Sequence, residues 1–236
     1  MPEAPWVMTQ TWHHLLFAHW PVDARALRER LPAGLPLDLY DGQAWVGVVP
    51  FHMTNVAPRG VPNIPFVSAF PELNVRTYVT IDGRPGVYFF SLDAASAVAV
   101  AAARTLFGLP YYAATMSVEV DGDVVRYSSA RETKMPGVAE FRSRYQPTGP
   151  VQVPAEGSLE HFLTERYCLY RVDDSSRTHR LDIHHPRWPL QPAEAQIERN
   201  TMAEAAGIRL PSTAPLLHYS RRQDVVAWAP YRIHDS

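Results

Sequence analysis

The chain has 236 residues, 46% of them hydrophobic and 19% charged, with a formal net charge of -2. This is the composition of a globular chain long enough to bury a sizeable core, and it excludes a disordered one. The near-neutral balance also argues against sequence-independent nucleic-acid binding, which needs a basic surface to meet phosphates.

The elements read mostly as strands with three or four helices. "TQTWHHLLFAHW" is rich in aromatic and aliphatic residues and predicts a strand ending at Pro21. Asp23 stands as N-cap of a short helix whose buried side is Ala24, Leu27 and Leu31. "LDLYDGQAWVGVVPFHM" predicts a hairpin turning at Asp41-Gly42. Thr54 to Phe70 then holds three prolines with no helical period. It is either a lid-like binding loop or a plain surface excursion.

A second hairpin turns near Asp82-Gly83 and a third at Asp121-Gly122. Between them "AASAVAVAAARTLFG" predicts a helix, with Asp93 as cap and Gly108 at its C-terminal end. A strand over Glu140 to Gln146 leads through a Pro/Gly-rich linker to a short helix capped by Ser158. "YCLYRVD" and "HRLDIHH" predict a strand pair. "PAEAQIERNTMAEAAG" predicts the last helix, with Pro192 in its first turn and Gly207 past its end. "LLHYS" and "DVVAWAPYRI" predict two closing strands.

No repeat or clean linker divides the chain. The expected architecture is one α+β domain over residues 1–236, mostly antiparallel, with a sheet large enough to curl or close. No stretch approaches the ~20 apolar residues of a membrane helix. The N-terminus has no signal-peptide pattern, and the lone Cys168 suits a reducing compartment. A cytoplasmic protein with neither a membrane nor a nucleic acid as partner is therefore expected.

Side chains alternate along a strand, so "ELNVRTY" puts Glu72, Asn74, Arg76 and Tyr78 on one face. Such a row is a solvated outer face or, if the sheet closes, an interior set presenting an acid, an amide, a guanidinium and a phenol to a ligand. A buried set of this kind must be hydrogen-bonded or it is costly. "YFFSLD" adds Ser91 and Asp93 on one face, with Asp93 either a helix cap or a site carboxylate.

Histidines recur at His13, His14 and His19 and again at His184 and His185. Adjacent histidines on a strand face opposite ways, and no zinc spacing is present, so no metal is expected. Convergence of His13 or His14 with His184 or His185 would be invisible in sequence, which leaves metal-assisted chemistry as an alternative. Of each pair, His14 and His185 are the candidates for contact with a ligand. Cys168, in mid-strand, reads as a buried inert thiol. The phosphate-loop, dinucleotide and nucleophile-elbow motifs are absent, so no cofactor is expected.

Several blocks carry a resemblance that spans nearly the whole chain: "AHWPVDARALRERLPAGLPLD", "AWVGVVPF", "SAFPELNVRTYV", "GVYFFSLDA", "LTERYCLY" and "IHHPRWPLQPAE…RNTM". Together they resemble the YqjF-like family of uncharacterised bacterial proteins. That resemblance implies the fold of acetoacetate decarboxylase, a cone-shaped double β-sheet enclosing a cavity with a few peripheral helices. The decarboxylase uses one of two adjacent lysines to form a Schiff base with its substrate. The matching positions here are approximately Leu109 and Pro110, which have no amine, and the only lysine of the chain, Lys134, lies on a later segment.

These readings together predict an interior site for a small carboxylate- or carbonyl-bearing molecule, with Glu72 and Arg76 catalytic. Asn74, Tyr78, Ser91, Asp93, His14 and His185 are expected around the ligand. An acid–base lyase, hydrolase or isomerase and a non-catalytic binding or sensing module both fit, and pairing of sheet edges would allow a homo-oligomer.

Overall fold

The computed structural model describes residues 2–61, 68–133 and 138–233. Its first strand, β1 (Met8–Val22), pairs antiparallel with β2 (Ala44–Pro58), and β2 with β3 (Phe70–Ile81). Between β1 and β2 lies α1 (Ala24–Arg28), where the Asp23 carboxylate accepts from the Ala26 N–H and Leu27 is buried. Asp41 and Gly42, both at positive φ, join only a single bridge between Tyr40 and Gln43, so the expected hairpin there is reduced to its turn. Strand β2 also runs on to Pro58, because the N-terminal end of β1 pairs with it as far as Met8. Of the proline-rich segment, 62–67 lie outside the described residues, as does Lys134.

Strand β4 (Arg84–Ala94) forms the second hairpin with β3. Asp82 and Gly83 at its turn both have positive φ, the geometry that suits the right-handed twist of paired strands. Helix α2 (Ala97–Phe107) ends at Gly108 in the left-handed region. Its cap is Ser96, whose hydroxyl accepts from the Ala99 N–H, and Asp93 lies inside β4 instead. Strands β5 (Tyr111–Asp121), β6 (Val124–Arg131) and β7 (Glu140–Pro147) form a meander, with Gly122 at positive φ in the first turn. Helix α3 (Leu159–Thr164) is capped by Ser158. Strands β8 (Cys168–Val172) and β9 (Thr178–His184) pair as expected.

The largest departure from expectation follows. The segment read as the last helix is strand β10 (Gln191–Asn200), and only α4 (Met202–Ala205) is helical. Ala193, Ala195 and Ile197 pack on the core while Glu194, Gln196 and Glu198 face solvent, a period of two. Pairing with β7 overrides the helical preference of Ala, Glu and Gln, which is worth only a few tenths of a kcal/mol per residue. The two expected closing strands fuse into β11 (Leu216–Ala227), followed by the short β12 (Tyr231–Arg232).

The strand order is β12-β9-β8-β4-β3-β2-β1-β11-β10-β7-β6-β5, and additional pairings of β9 with β11 and β4 with β5 close the sheet twice. The run from β4 through β3, β2 and β1 to β11 is thus one wall shared by two enclosures. The side completed by β10, β7, β6 and β5 is filled, with Leu16, Val46, Val48, Val75, Tyr127 and Phe141 among its buried residues. The side completed by β8 and β9 is walled by Leu15, Phe17, Val49 and Phe51 of the opposite faces.

A buried ion pair ties β4 to β6. Asp93, fully buried, accepts from Arg131 Nε at 2.6 Å and Nη2 at 2.8 Å. Removing one member of such a pair leaves an uncompensated buried charge. Arg131→Met is expected to lower unfolding stability by about 3 kcal/mol. Unfolding in urea measures it, and a loss under about 1 kcal/mol would mean the pair does not brace the closure.

Candidate functional site

A cavity of about 60 Å³ lies against the β3 face of the unfilled enclosure. Glu72, Asn74 and Arg76 line it together, joined from β9 and the segment after it by Ile183, His185 and Trp188. The β3–β4 register has a bulge between Val75 and Arg76. Before the bulge, Glu72 pairs with Ala94 and Asn74 with Leu92. After it, Arg76 pairs with Phe89, which also lines the cavity.

Glu72 is 3% exposed and accepts a hydrogen bond from the Tyr111 hydroxyl at 2.7 Å. Burial pushes its carboxyl up to about 8; the Tyr111 hydroxyl opposes the rise and the Asp93 carboxylate adds to it. Glu72 is therefore a neutral acid at pH 7, able to donate a proton. Arg76 donates to the Leu163 carbonyl at 3.1 Å, and its guanidinium lies 5.2 Å from the Phe17 ring centre and 5.7 Å from that of Tyr78. Among the described residues it has no carboxylate partner.

A second cavity-lining cation, Arg166, is neutralised by Asp38 at 2.6 Å. Among the described residues the cavity thus carries one uncompensated positive charge, on the same strand face as a protonated acid. Asn74 Oδ1, Arg76 Nε and Trp188 Nε1, all on lining residues, are buried without a hydrogen-bond partner. Unpaired buried polar atoms are costly, and these three come from two sides of the cavity, Asn74 and Arg76 from β3 and Trp188 from the segment after β9.

Neighbouring residues hold these groups in place. Gly47 stands directly across from Arg76 in the β2–β3 register. A Cβ there would lie 3.0 Å from His19 Nε2 and 3.4 Å from Arg76 Cγ, so glycine leaves the room both side chains use. Trp188 stacks on Trp12 and meets Phe17 edge-on at 4.8 Å. The backbone N–H of Trp188 donates to Glu165. His185 is buried and stacked on Tyr167 at 4.6 Å. Burial lowers its pKa, so the ring is neutral at pH 7.

Other expected members lie elsewhere. Tyr78 stands behind Arg76, with its hydroxyl on His19 Nε2 at 2.6 Å. Ser91 and Asp93 pair with Val75 and Leu73, so they occupy the opposite face of the wall. Asp93 is engaged by Arg131 there. His14 sits at a bulge with φ of 53° and shares a hydrogen bond with the Tyr219 hydroxyl at 2.7 Å, away from the cavity. Strict alternation fails at His14, where the β1–β2 register is irregular and the side chains are re-aimed; along β4 it holds, and Ser91 and Asp93 share a face that is turned away from the cavity. His13 bonds Thr54, and among the described residues no three of His, Cys, Asp and Glu gather as metal ligands. Tyr111, Arg166 and Trp12 come from distant segments, and nothing in the sequence grouped them with the β3 row.

Residues 9–224 match DUF2071, a family of uncharacterized conserved proteins. The uncharacterized protein YqjF of Bacillus subtilis (strain 168) is 49% identical over 228 residues, covering 97% of this chain and 93% of that protein. Among solved structures, the enduracididine biosynthesis enzyme MppR complexed with pyruvate superposes with a TM-score of 0.66 at 11% identity, covering 99% of this chain and 93% of that one. An acetoacetate decarboxylase from Legionella pneumophila gives 0.65 at 12% identity, covering 100% and 93%. The fold is acetoacetate decarboxylase-like, as the resemblance in the sequence implied. Among the described residues no helix is long and apolar enough to cross a membrane.

Proposed function

This chain belongs to the DUF2071 family, and on that footing we propose that it binds a small organic carboxylate, or a carbonyl compound bearing one, in the cavity bounded by Glu72, Asn74 and Arg76. The buried Arg76 guanidinium, with no carboxylate of its own, carries this reading. A ligand carboxylate would supply the missing charge through charge-assisted hydrogen bonds. Asn74 orients the ligand through its amide. MppR, a distant neighbour of the same fold, was solved with pyruvate, a molecule of this class.

In the catalytic form of the reading, Glu72 is the general acid–base group. Held neutral by burial, it hands a proton to a carbonyl or enolate oxygen and takes it back at the end of the cycle. Leu109 and Pro110, where the resemblance implies the lysine pair, offer no amine, so a Schiff-base route is not proposed. The reaction would be that of a lyase, hydrolase or isomerase working by proton transfer. The cavity, about 60 Å³ against the several hundred Å³ of typical ligand pockets, also favours a second reading: a binding module that holds a very small ligand without turnover. The metal-assisted reading has less support. His13 and His14 bond Thr54 and Tyr219, whereas His185 lines the cavity.

Thermal unfolding with pyruvate, acetate and neutral acetone tests the charge-based claim. At about 100 times the dissociation constant a ligand adds about 2.7 kcal/mol, so pyruvate or acetate should raise Tm by several degrees while acetone does not. Equal shifts for all three, or none, would remove the reading.

A further inference from the structure

Strand β5 pairs with β6 in unshifted register from Ala114 to Asp121. On its other side β4 meets it only through Tyr111, Tyr112 and Ala113, and among the described residues no other strand pairs with it. The edge from Ala114 to Val120 is therefore open. One contact fixes which backbone groups it presents. The Glu132 N–H donates to the Ala113 carbonyl, on the β6 side. Hydrogen-bonded and non-hydrogen-bonded pairs alternate along an antiparallel ladder, so Thr115, Ser117, Glu119 and Asp121 bond towards β6. The N–H and C=O groups of Ala114, Met116, Val118 and Val120 point out along the open edge.

An edge of this length is normally blunted by proline, lysine, a bulge or an inward-pointing charge. The stretch "ATMSVEV" has none of these, and its one charge, Glu119, shares the outward face with Thr115 and Ser117. On the inner face Ala114 is buried, Met116 and Val118 pack against the core, and Val120 is 46% exposed. The edge is also complementary to itself. Laid antiparallel to a second copy about a two-fold axis at Ser117, it sets Met116 against the partner's Val118 and Ala114 against the partner's Val120. All four edge-facing residues of each copy then fall in hydrogen-bonded pairs, and their side chains extend the apolar layer. On the outer face Ser117 meets the partner's Ser117 and Thr115 meets the partner's Glu119, so no like charges stand opposite. Charge favours the same orientation. Arg104, which has no carboxylate partner among the described residues, donates to the Tyr111 carbonyl at the start of β5, whereas Glu119 and Asp121 lie at its end. Antiparallel pairing brings the acidic end of each copy towards Arg104 of the other.

We propose that β5 is a dimerisation edge: it pairs with β5 of a second copy of this chain, in the register centred on Ser117, and makes one continuous sheet across the two-fold axis.

Sedimentation of the full chain over a range of concentrations tests this, with the wild type expected as a dimer. Val118→Pro removes an N–H that points to the partner and leaves the β6 ladder whole. It should fold as the wild type does and weaken the dimer about tenfold or more. Cysteine substitution reads the register. The two copies of Ser117 meet in a non-hydrogen-bonded pair with Cα atoms about 4.5 Å apart, within disulfide range. Ser117→Cys should therefore oxidise to a cross-linked dimer, and Thr115→Cys, which lies opposite Glu119, should not. Both positions are exposed, so this comparison decides the matter even if Val118→Pro fails to fold. A wild type that stays monomeric overturns the proposal, whether its edge is bare or takes an extended peptide of another protein. A dimer that withstands Val118→Pro, or that cross-links through Thr115→Cys as readily as through Ser117→Cys, overturns it too.

Discussion

Arg76→Met is expected to abolish carboxylate binding while leaving the protein as stable as wild type or more so. In the wild type Arg76 is 9% exposed, its guanidinium engages one backbone carbonyl, and Nε has no partner among the described residues. Methionine keeps much of the stem that packs between Phe17 and Tyr78 and removes a charge that is costly to bury unpaired. Losing the hydrogen bond to the Leu163 carbonyl costs about 1 kcal/mol, which relief of the buried charge offsets. Binding behaves differently. Truncating one side of a buried charge pair costs about 2–5 kcal/mol, which corresponds to about 30- to several-thousand-fold in affinity. Calorimetry and thermal unfolding on the same samples read the two effects. A variant that loses stability and binding together would mark Arg76 as a structural residue instead of a ligand partner. A residue whose removal raises stability and destroys binding is the signature of a site held at the expense of the fold.

Glu72→Gln should reshape the pH dependence of stability. The folded-state pKa of Glu72 is raised from 4.5 to about 8, so between those values the native state holds a proton that the unfolded chain has released. Stability from this group is therefore complete below about pH 4.5, declines as pH rises, and is gone above about pH 8. The full span corresponds to about 4–5 kcal/mol, an upper estimate for a single buried carboxyl. Glutamine stays neutral and still accepts from the Tyr111 hydroxyl through its carbonyl. The variant should lack this decline and exceed the wild type by several kcal/mol at pH 9, as measured by urea unfolding at pH 5, 7 and 9. Parallel pH profiles for the two proteins would show that Glu72 titrates normally. If the protein is an enzyme, the same variant keeps ligand binding and loses turnover, because an amide cannot cycle a proton. If it is a binding module, the variant changes nothing but the pH profile.

Local signals read well wherever they act over a few residues. The turns at Asp82-Gly83 and Asp121-Gly122, the Asp23 and Ser158 caps and the glycine end of α2 all form where backbone geometry demands them. The alternation of "ELNVR" likewise marked Glu72, Asn74 and Arg76 as one face, and they line one cavity. Alternation broke at the β1 irregularity that holds His14; along β4 it held, and Ser91 and Asp93 share one face, but it is the face of Leu73 and Val75, turned away from the cavity. The misread helix at Pro192 shows the weakness of propensity. Ala, Glu and Gln favour a helix in isolation, yet the β7 edge was open and the apolar residues fall every second position.

The sequence by itself determined the strand-rich composition, the turns, the Asp23 and Ser158 caps and the shared face of Glu72, Asn74 and Arg76 on β3, because these depend on contacts within a few residues. Whether that polar row meets water or a cavity was decided only by the tertiary structure. The pairings of β9 with β11 and β4 with β5 join segments far apart in the chain and turn one face of a shared wall inward. The same closure brings Tyr111 to Glu72 and sets Trp188 and His185 opposite Arg76. Among the described residues it also leaves the buried guanidinium without a carboxylate partner. Desolvation, which raises the Glu72 pKa and makes the lone Arg76 charge costly, belongs to no residue's neighbours in sequence. It arises when the sheet closes and excludes water.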